Sequence, residues 1–254
     1  MPEDISALFS VSVYVEAMLG LLLLYTWVQR PEITAVAWWG GAHLLCAFSI
    51  ALFGMFGTLP DVVTVDLANA ILLISFGVTW TGARLFGGRQ PSLSLLAGAA
   101  IWLIASLMPE VAESVALQAL LSAMIIAAYM WLAAGELWRI NDGQLVSRLP
   151  AFFMLFAQGA MFLMRTPLGV LMPHISGTER LFGSVWLTVL SSEALLFTIA
   201  IAFIFMAMAK ERAAQMQRAT GGSLAGIAAE SVHQAPPGPS ASDFVQSARV
   251  SRAL

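Results

Sequence analysis

Seven apolar runs, separated by short polar segments, follow one another along this chain. The runs are continuous and do not alternate between apolar and polar residues, which favours membrane helices over the strands of an outer-membrane barrel. The polar breaks carry turn-forming glycine and proline, as in Gly57-Thr58-Leu59-Pro60. The pattern therefore predicts an all-α, polytopic membrane protein with seven transmembrane helices, at residues 5–28, 34–56, 63–86, 92–108, 114–138, 149–171 and 181–208.

The seventh run passes into the charged sequence Ala209-Lys210-Glu211-Arg212 with no proline or glycine between Gly183 and Gly221. Its helix is therefore expected to leave the membrane and to continue to residue 218. Residues 219–254 are rich in alanine, serine and proline and are predicted to form a disordered tail beyond the 1–218 membrane domain. A homodimer through the seventh helix and its exit is possible, because a heptad-like seam occurs there. The seam consists of Met206, Ala209, Ala213 and Met216.

Composition supports the membrane assignment, because 59% of the 254 residues are hydrophobic, 11% are charged and the mean hydropathy is +0.83. The expected partner is thus the lipid bilayer, and no nucleic acid is expected. Basic residues flank loops one, three and five and the exit, whereas loops two, four and six contain only Arg180. The positive-inside rule then predicts an N-terminus outside and a C-terminus in the cytoplasm. The flanking residues are Arg30, Arg84, Arg89, Arg139, Arg148, Lys210, Arg212 and Arg218.

Three charged residues interrupt the apolar runs: Glu16, Arg165 and Glu193. A charge inside the bilayer costs roughly 2.5–3.5 kcal/mol on insertion scales, so each is a functional candidate. His43 lies at a comparable depth. These four residues form a predicted polar cluster in which Arg165 pairs with Glu193 by preference and with Glu16 as second choice. The alternatives for the role of this cluster are a structural ion pair, a site that senses a ligand or a proton, and a transport site.

The third run carries polar and amphipathic residues at helical spacing, which marks one interior-facing stripe. That stripe is a candidate cavity wall, although a packed interior face would have the same pattern. Its residues are Asp66, Asn69, Trp80 and Arg84.

Several kinds of chemistry are disfavoured by the residues present. The lone cysteine, Cys46, excludes an internal disulfide, and three histidines spread over the chain do not supply paired haem ligands. The only lysine, Lys210, is at the exit, so no Schiff base deep in the bundle is expected. No phosphate-binding loop, zinc-protease helix or nucleophile elbow occurs. We therefore expect no enzyme activity, no cofactor and no metal.

The run Asp66-Leu67-Ala68-Asn69-Ala70-Ile71-Leu72-Leu73, followed by Trp80-Thr81-Gly82-Ala83-Arg84, resembles the N-terminal membrane region of proteobacterial diguanylate cyclases of the GGDEF family. Ala37-Trp38-Trp39-Gly40 and the exit Ala209-Lys210-Glu211-Arg212 are similar to the same region, so the resemblance covers about residues 1–218. It implies a seven-helix sensor for an unknown small-molecule signal, located in the bacterial inner membrane. In that family the seventh helix leads to a cyclase domain that makes cyclic di-GMP.

The chain departs from this family after the seventh helix. Gly222-Ser223-Leu224-Ala225-Gly226 stands where the cyclase domain opens with D-x-L-T-G, and no Gly-Gly-Asp/Glu-Glu-Phe motif occurs. The 36 residues after Arg218 are too few for a nucleotide-binding domain, so we expect either a truncated or frame-shifted gene or a membrane module that is used alone. The sequence thus predicts a sensory or regulatory module without catalytic output. The alternative is a small-molecule transporter with its site at Glu16, His43, Arg165 and Glu193.

Overall fold

The computed structural model describes residues 3–140, 143, 145–171 and 179–233, and the side chains of residues 10–140, 143, 145–164 and 193–221. No strand forms in these residues, and the predicted all-α class is confirmed. A π-helical turn, Val62–Leu67, leads into the third helix, and a 3-10 turn, Leu93–Leu96, leads into the fourth. The helices are α1 (Glu3–Gln29), α2 (Thr34–Gly54), α3 (Ala68–Phe86), α4 (Ala97–Ser106), α5 (Pro109–Ala112), α6 (Val115–Arg139), α7 (Arg148–Leu171) and α8 (Glu179–His233).

Five helical segments in the described part of the chain are long and apolar enough to cross a membrane: Ser10–Gln29, Thr34–Gly54, Val62–Phe86, Val115–Arg139 and Glu193–Gly221. Two further apolar segments, Leu93–Ser106 and Arg148–Met164, are shorter. Seven full-length spans are therefore not confirmed. The fourth predicted span falls short because its regular part, α4, has only 10 residues. At 1.5 Å per residue such a helix covers about half of the roughly 30 Å hydrocarbon core.

Hydrogen bonds between neighbouring helices define their directions. Ser49 Oγ donates to the Ala68 carbonyl (2.7 Å) and Trp39 Nε1 donates to the Thr79 carbonyl (3.2 Å), so α2 and α3 are antiparallel. Trp131 Nε1 donates to the Phe156 carbonyl (3.2 Å) and links α6 to α7. Each of these pairs places the end of one helix beside the start of the next, as in an up-and-down bundle.

Helices α3 and α6, in contrast, are parallel. Ser122 Oγ bonds Asn69 Oδ1 (3.2 Å) near the start of both helices, and Arg84 contacts Glu136 (3.4 Å) near the end of both. Because α3 and α6 both start at the same end of the bundle, residues 87–114 must carry the chain from the end of α3 back to that starting end. The segment that contains the 3-10 turn and α4 therefore covers the length of the bundle, although α4 alone does not.

A tyrosine fastens this short return segment to α6. The Tyr129 hydroxyl donates to the carbonyls of Ser94 and Leu95 (2.8 and 3.0 Å) and accepts from the Gly98 amide (2.9 Å). The Gly98 amide lies in the first turn of α4, where backbone N–H groups need partners outside the helix. Gly77 allows the same turn to approach α3, since a Cβ at this position would clash with the Leu95 backbone.

The chain divides into two compact units, residues 1–212 and 213–254. The first contains all the helices up to the exit of α8. In the second, α8 continues to His233, past the end predicted at residue 218. Gly221 and Gly222 do not end the helix, because glycine in a helix interior costs only about 1 kcal/mol and the following residues are rich in alanine. Residues 234–254 of the predicted tail lie outside the described residues.

Candidate ligand-binding cavity

A cavity of about 390 Å³ lies inside the first unit, between α1, α2, α3, α6, α7 and α8. Its wall is mostly aliphatic and aromatic, with a few hydroxyl, amide and ionisable groups. This combination is typical of small-molecule sites. The lining residues are Ser12, Glu16, Ala42, His43, Cys46, Ile50, Phe53, Leu72, Ser75, Phe76, Thr79, Met130, Leu155, Gln158, Phe162, Ala194, Thr198, Ile201 and Phe205.

Glu16 and His43, two of the four predicted cluster residues, form a pair in the cavity wall. Glu16 is 5% exposed, and its Oε2 lies 2.6 Å from His43 Nδ1. An ionised carboxylate only accepts hydrogen bonds, so a bond to it requires a hydrogen on Nδ1. The other nitrogen, Nε2, has no hydrogen bond within the described part of the chain. Nor do three or more His, Cys, Asp or Glu side chains gather there, so this pair supplies at most two ligands to a metal.

Close packing of α1 on α2 brings this pair together. A Cβ on Gly20 would lie 2.9 Å from the Gly40 carbonyl oxygen, and one on Gly40 would lie 3.0 Å from the Gly20 carbonyl oxygen. The two glycines therefore let the helix backbones approach more closely than larger residues would. Since α1 and α2 are antiparallel, Glu16 and His43 lie about one turn from this contact and face each other.

Gln158 on α7 is the polar residue of the cavity that the sequence analysis missed. It is 7% exposed, and its side chain has no hydrogen-bond partner among the described residues. An amide that is buried without a partner costs about 1–3 kcal/mol, whereas one that faces a cavity can bond to an occupant. The sequence signal was available, because Gln158 is the only amide side chain in the apolar run of residues 149–171.

One face of α8 forms a wall of the cavity and continues to the helix exit. Phe205 is buried and its ring stacks on Trp39 of α2, with centroids 3.9 Å apart. Trp39 itself is fully buried and lies 5.6 Å from the Phe86 ring at the end of α3. The residues of this face follow one another at intervals of three and four positions, which places them on one side of the helix. They are Ala194, Thr198, Ile201, Phe205, Met208 and Arg212.

The other two residues of the predicted cluster are Arg165 and Glu193. The Arg165 side chain lies outside the described residues, so its predicted pairing with Glu193 stays a prediction. Glu193 is half-buried on α8, next to the cavity-lining Ala194, and is engaged in interactions of its own. The second-choice partner of Arg165, Glu16, is bonded to His43.

None of the four residues predicted to form a cavity face on helix three lines this cavity. The lining residues of α3 are Leu72, Ser75, Phe76 and Thr79, and at 100° per residue the predicted stripe lies about a quarter turn away, towards α6. There Asn69 bonds Ser122, and the Trp80 ring lies 6.0 Å from Tyr129. Asp66 is half-buried in the π-helical turn.

Arg84, the last residue of that stripe, belongs to a second polar cluster, which we call the exit-end cluster: Arg84, Arg89 and Glu136. Glu136 is 5% exposed, and both of its oxygens lie 2.9 Å from Arg89 Nη1. Arg84 contacts the same carboxylate (3.4 Å), donates from Nε to the Gln90 carbonyl (3.1 Å) and lies over the Trp80 ring (5.1 Å). The sequence analysis did not include Glu136, because its position in the last turn of its helix looked interfacial.

The exit of α8 is held at the same end of the bundle. The Glu211 carboxylate accepts hydrogen bonds from the backbone amide (3.2 Å) and the hydroxyl (2.7 Å) of Ser147, which precedes α7. A carboxylate at the start of a helix satisfies backbone donors there and interacts well with the helix dipole. Arg212 lies over the Phe86 ring at 5.6 Å. The buried Ala209, a residue of the predicted dimer seam, is already covered within one copy.

These features define a protein that is helical in its described residues, with apolar helices long enough to cross a membrane. Its cavity contains polar groups without partners among those residues, and one cavity wall continues to the exit of α8. Comparison of the chain with protein-family models, with curated proteins and with solved structures finds no match. The resemblance to the membrane region of GGDEF-family cyclases therefore remains a prediction from the sequence.

Proposed function

We propose that the chain is a membrane-embedded sensory or regulatory module, which binds a small molecule in the central cavity and reports its presence through α8. The observation that carries the proposal is the shared face of α8. Ala194, Thr198 and Phe205 line the cavity, and Arg212 on the same face contacts the end of α3. An occupant that displaces this face would shift the α8 exit, because a continuous helix transmits displacement along its axis.

The proposal includes seven membrane crossings, with the N-terminus outside and the C-terminus in the cytoplasm of a bacterial cell. The opposite directions of neighbouring helices and the return of residues 87–114 along the bundle support this number of crossings. The α8 exit lies beside Phe86 and Ser147, in the end of the bundle that carries Arg84, Arg89 and Arg148. Basic residues concentrate on the cytoplasmic side of membrane proteins, which favours the proposed orientation.

The proposed relation to the input regions of diguanylate cyclases rests on sequence resemblance, and the signal receiver would lie beyond α8. The chain itself is proposed to lack catalytic output, since it carries no cyclase motif. Purified protein incubated with GTP and Mg²⁺ should yield no cyclic di-GMP. Turnover that persists through purification would contradict this part of the proposal.

A ligand-free experiment tests the sensory role. Ala194→Phe places a ring in the cavity from α8, and hydrogen exchange of the Ser147 amide, which bonds Glu211, reports on the exit. If the cavity and the exit are coupled, the exchange rate of this amide should change by about fivefold or more, the lower range of allosteric coupling. The measurement is hydrogen exchange with mass spectrometry on full-length protein in lipid nanodiscs.

Leu196→Phe is the matched control. It adds a ring to the same helix at a position that is 68% exposed in the bundle, and Ser147 should exchange as in the wild type. An unchanged rate in a folded Ala194→Phe protein would contradict the sensory proposal. Equal changes in both variants would also contradict it, because they would show a general effect on the helix.

The second candidate is a transporter, which the Glu16–His43 pair favours. A carboxylate bonded to a histidine inside an apolar cavity is the kind of group that carries protons in transporters. Proteoliposomes loaded with a pH-sensitive dye distinguish the two functions. A transporter should move protons down an imposed gradient and lose this flux in Glu16→Gln, whereas the proposed sensor should show the leak of empty liposomes.

A further inference from the structure

We propose that the cavity takes an uncharged, membrane-soluble molecule whose planar ring carries a carbonyl oxygen, the chemistry of a quinone headgroup. This inference rests on the proposed ligand-binding role of the cavity and adds the chemical class of the ligand. Three features of the described wall carry it: two hydrogen-bonding groups without partners among the described residues, a wall without lysine or arginine in those residues, and aromatic side chains around an apolar space.

The hydrogen-bonding groups are the Gln158 amide and His43 Nε2. Gln158 is nine-tenths buried, lines the cavity and has no partner within the described part of the chain. His43 Nδ1 is occupied by Glu16, which leaves Nε2 for the occupant. The Gln158 amide donates two hydrogen bonds, which suits a ligand that accepts them. His43 Nε2 is a second position at which an occupant can bond the wall.

The charges of the wall disfavour an ionic ligand. Among the described lining residues the one contact of ion-pair type joins Glu16 and His43, and none of these residues is a lysine or arginine. An anion would meet the Glu16 carboxylate, and no lysine or arginine of the described wall would balance its charge. A cation would have to compete with His43 for that same carboxylate. In an apolar cavity an unbalanced charge costs several kcal/mol or more, so the wall selects an uncharged occupant.

The rest of the wall suits a planar ring. Phe53, Phe76, Phe162 and Phe205 all line the cavity, and the Phe76 and Phe162 rings meet edge to face with centroids 5.7 Å apart. Aromatic side chains favour offset or edge contacts with another ring. The volume of about 390 Å³ is near the small end for ligand pockets, which accommodates a ring headgroup and the first part of an apolar chain.

Decylubiquinone is the probe for a direct test. Full-length protein in nanodiscs is titrated with it, and the rise in melting temperature gives the affinity, since a ligand of the folded state stabilises it. Gln158→Met keeps the length of the side chain and removes the amide. It should weaken binding by about threefold to tenfold, the worth of one hydrogen bond to a neutral group.

Gln118→Met is the matched control, because Gln118 makes its hydrogen bond to the Ala112 carbonyl and does not line the cavity. It should bind the probe as the wild type does. Decylubiquinone binding that is equal in wild type and in Gln158→Met would indicate partition into the lipid and would overturn the inference. The melting temperature without probe shows whether each variant is folded.

Decyltrimethylammonium and decanoate carry the same apolar chain with a positive or a negative head. Neither should stabilise the protein through the cavity. A Gln158-dependent rise with either ion, and none with the quinone, would overturn the assigned ligand class. The sensory role would still stand in that case, because Ser147 exchange in Ala194→Phe tests it without any ligand.

Discussion

Two glutamates of this bundle are buried to the same extent but have different surroundings. Glu16 and Glu136 are each 5% exposed. Glu136 in the exit-end cluster has two arginine partners, and Arg84 is further bonded to the Gln90 carbonyl. Glu16 bonds the His43 ring, lies close to the Cys46 thiol and has no arginine partner within the described residues. It shares its cavity with Gln158, whose amide has no hydrogen-bond partner in that part of the chain. The difference indicates that a polar cluster with all partners present stabilises the fold, whereas one with groups left over is available for binding.

Helix α8 contacts both regions. It lines the cavity with Thr198 and Phe205, and at its exit Glu211 bonds Ser147. The two regions therefore differ in what their polar groups do, but they share one element. Variants should accordingly separate stability from binding, with the largest losses of stability at the exit end.

The largest effect is expected for Glu136→Gln. The variant leaves Arg84 with a neutral partner in a largely buried position, and loss of one member of a buried ion pair is strongly destabilising. We expect the free energy of unfolding to fall by roughly 3 kcal/mol, the lower end for such pairs, since Arg89 is 49% exposed and part of its contribution is screened. Unfolding in mixed micelles of mild detergent and SDS measures the change.

Glu32→Gln is the control for that variant, because Glu32 is an exposed carboxylate in the loop between α1 and α2. It should change stability by less than about 0.5 kcal/mol. Equal stabilities of Glu136→Gln and the wild type would show that the exit-end cluster does not hold the bundle together, and the contrast with the cavity would disappear.

Gly20→Ala should have the next largest effect on stability. It should also change the cavity, because it changes the packing of α1 on α2. The added methyl group meets the Gly40 carbonyl oxygen at 2.9 Å and must push α1 away from α2. Overpacking of this kind costs about 1–3 kcal/mol, and it should also separate Glu16 from His43. Gly41→Ala is the control, because a Cβ there has open space. A Gly20→Ala protein as stable as Gly41→Ala would contradict the close packing of the two helices.

Ser147→Ala should have a smaller effect at the exit end. It removes the hydroxyl that donates to Glu211 at 2.7 Å but retains the backbone amide bond. We expect a loss of about 1 kcal/mol in unfolding free energy. Ser106→Ala, whose hydroxyl bonds only the Leu103 carbonyl of its own helix, should be close to neutral. If both serine variants behave alike, the Glu211 contact does not stabilise the exit.

The smallest loss of stability is expected for Gln158→Met. The variant replaces an amide that has no partner among the described residues by an apolar side chain of similar length, so the ligand-free protein should lose less than about 0.5 kcal/mol and gains stability where the amide is unbonded. The same variant should weaken ligand binding. A loss of stability as large as that of Glu136→Gln would mean that Gln158 supports the fold, and the contrast between the two regions would be wrong.

The parts of this picture that follow from periodicity and charge could be predicted from the sequence. The all-α class and most helix positions followed from the apolar runs. Glu16 and His43, which lie 2.6 Å apart, were noted as polar residues within those runs. Glu136 was missed because a charge in the last turn of a helix resembles an interfacial one. Only the parallel packing of α3 and α6, which no local pattern encodes, places it beside Arg84.

The cavity face of helix three shows the same limit. Helical spacing grouped Asp66, Asn69, Trp80 and Arg84 correctly on one stripe, but the partner of that stripe depends on tertiary packing. The stripe faces α6, where Asn69 bonds Ser122, and the cavity is lined by the less polar face with Ser75 and Thr79. The length of the fourth predicted helix was overestimated for a related reason. Apolar composition does not reveal the 3-10 turn at its start, whose Leu95 carbonyl accepts a hydrogen bond from Tyr129.

The most direct test of coupling between the cavity and the exit is a double-mutant cycle of Ala194→Phe and Ser147→Ala, read as unfolding free energy. Ala194 lies in the cavity wall and Ser147 contacts α8 at Glu211, about 25 Å further along the helix at 1.5 Å per residue. Independent sites at this separation add to within about 0.5 kcal/mol. The account predicts a coupling of about 1 kcal/mol or more for this pair, and additivity for Leu196→Phe with Ser147→Ala. Additive losses in the Ala194–Ser147 cycle would contradict it.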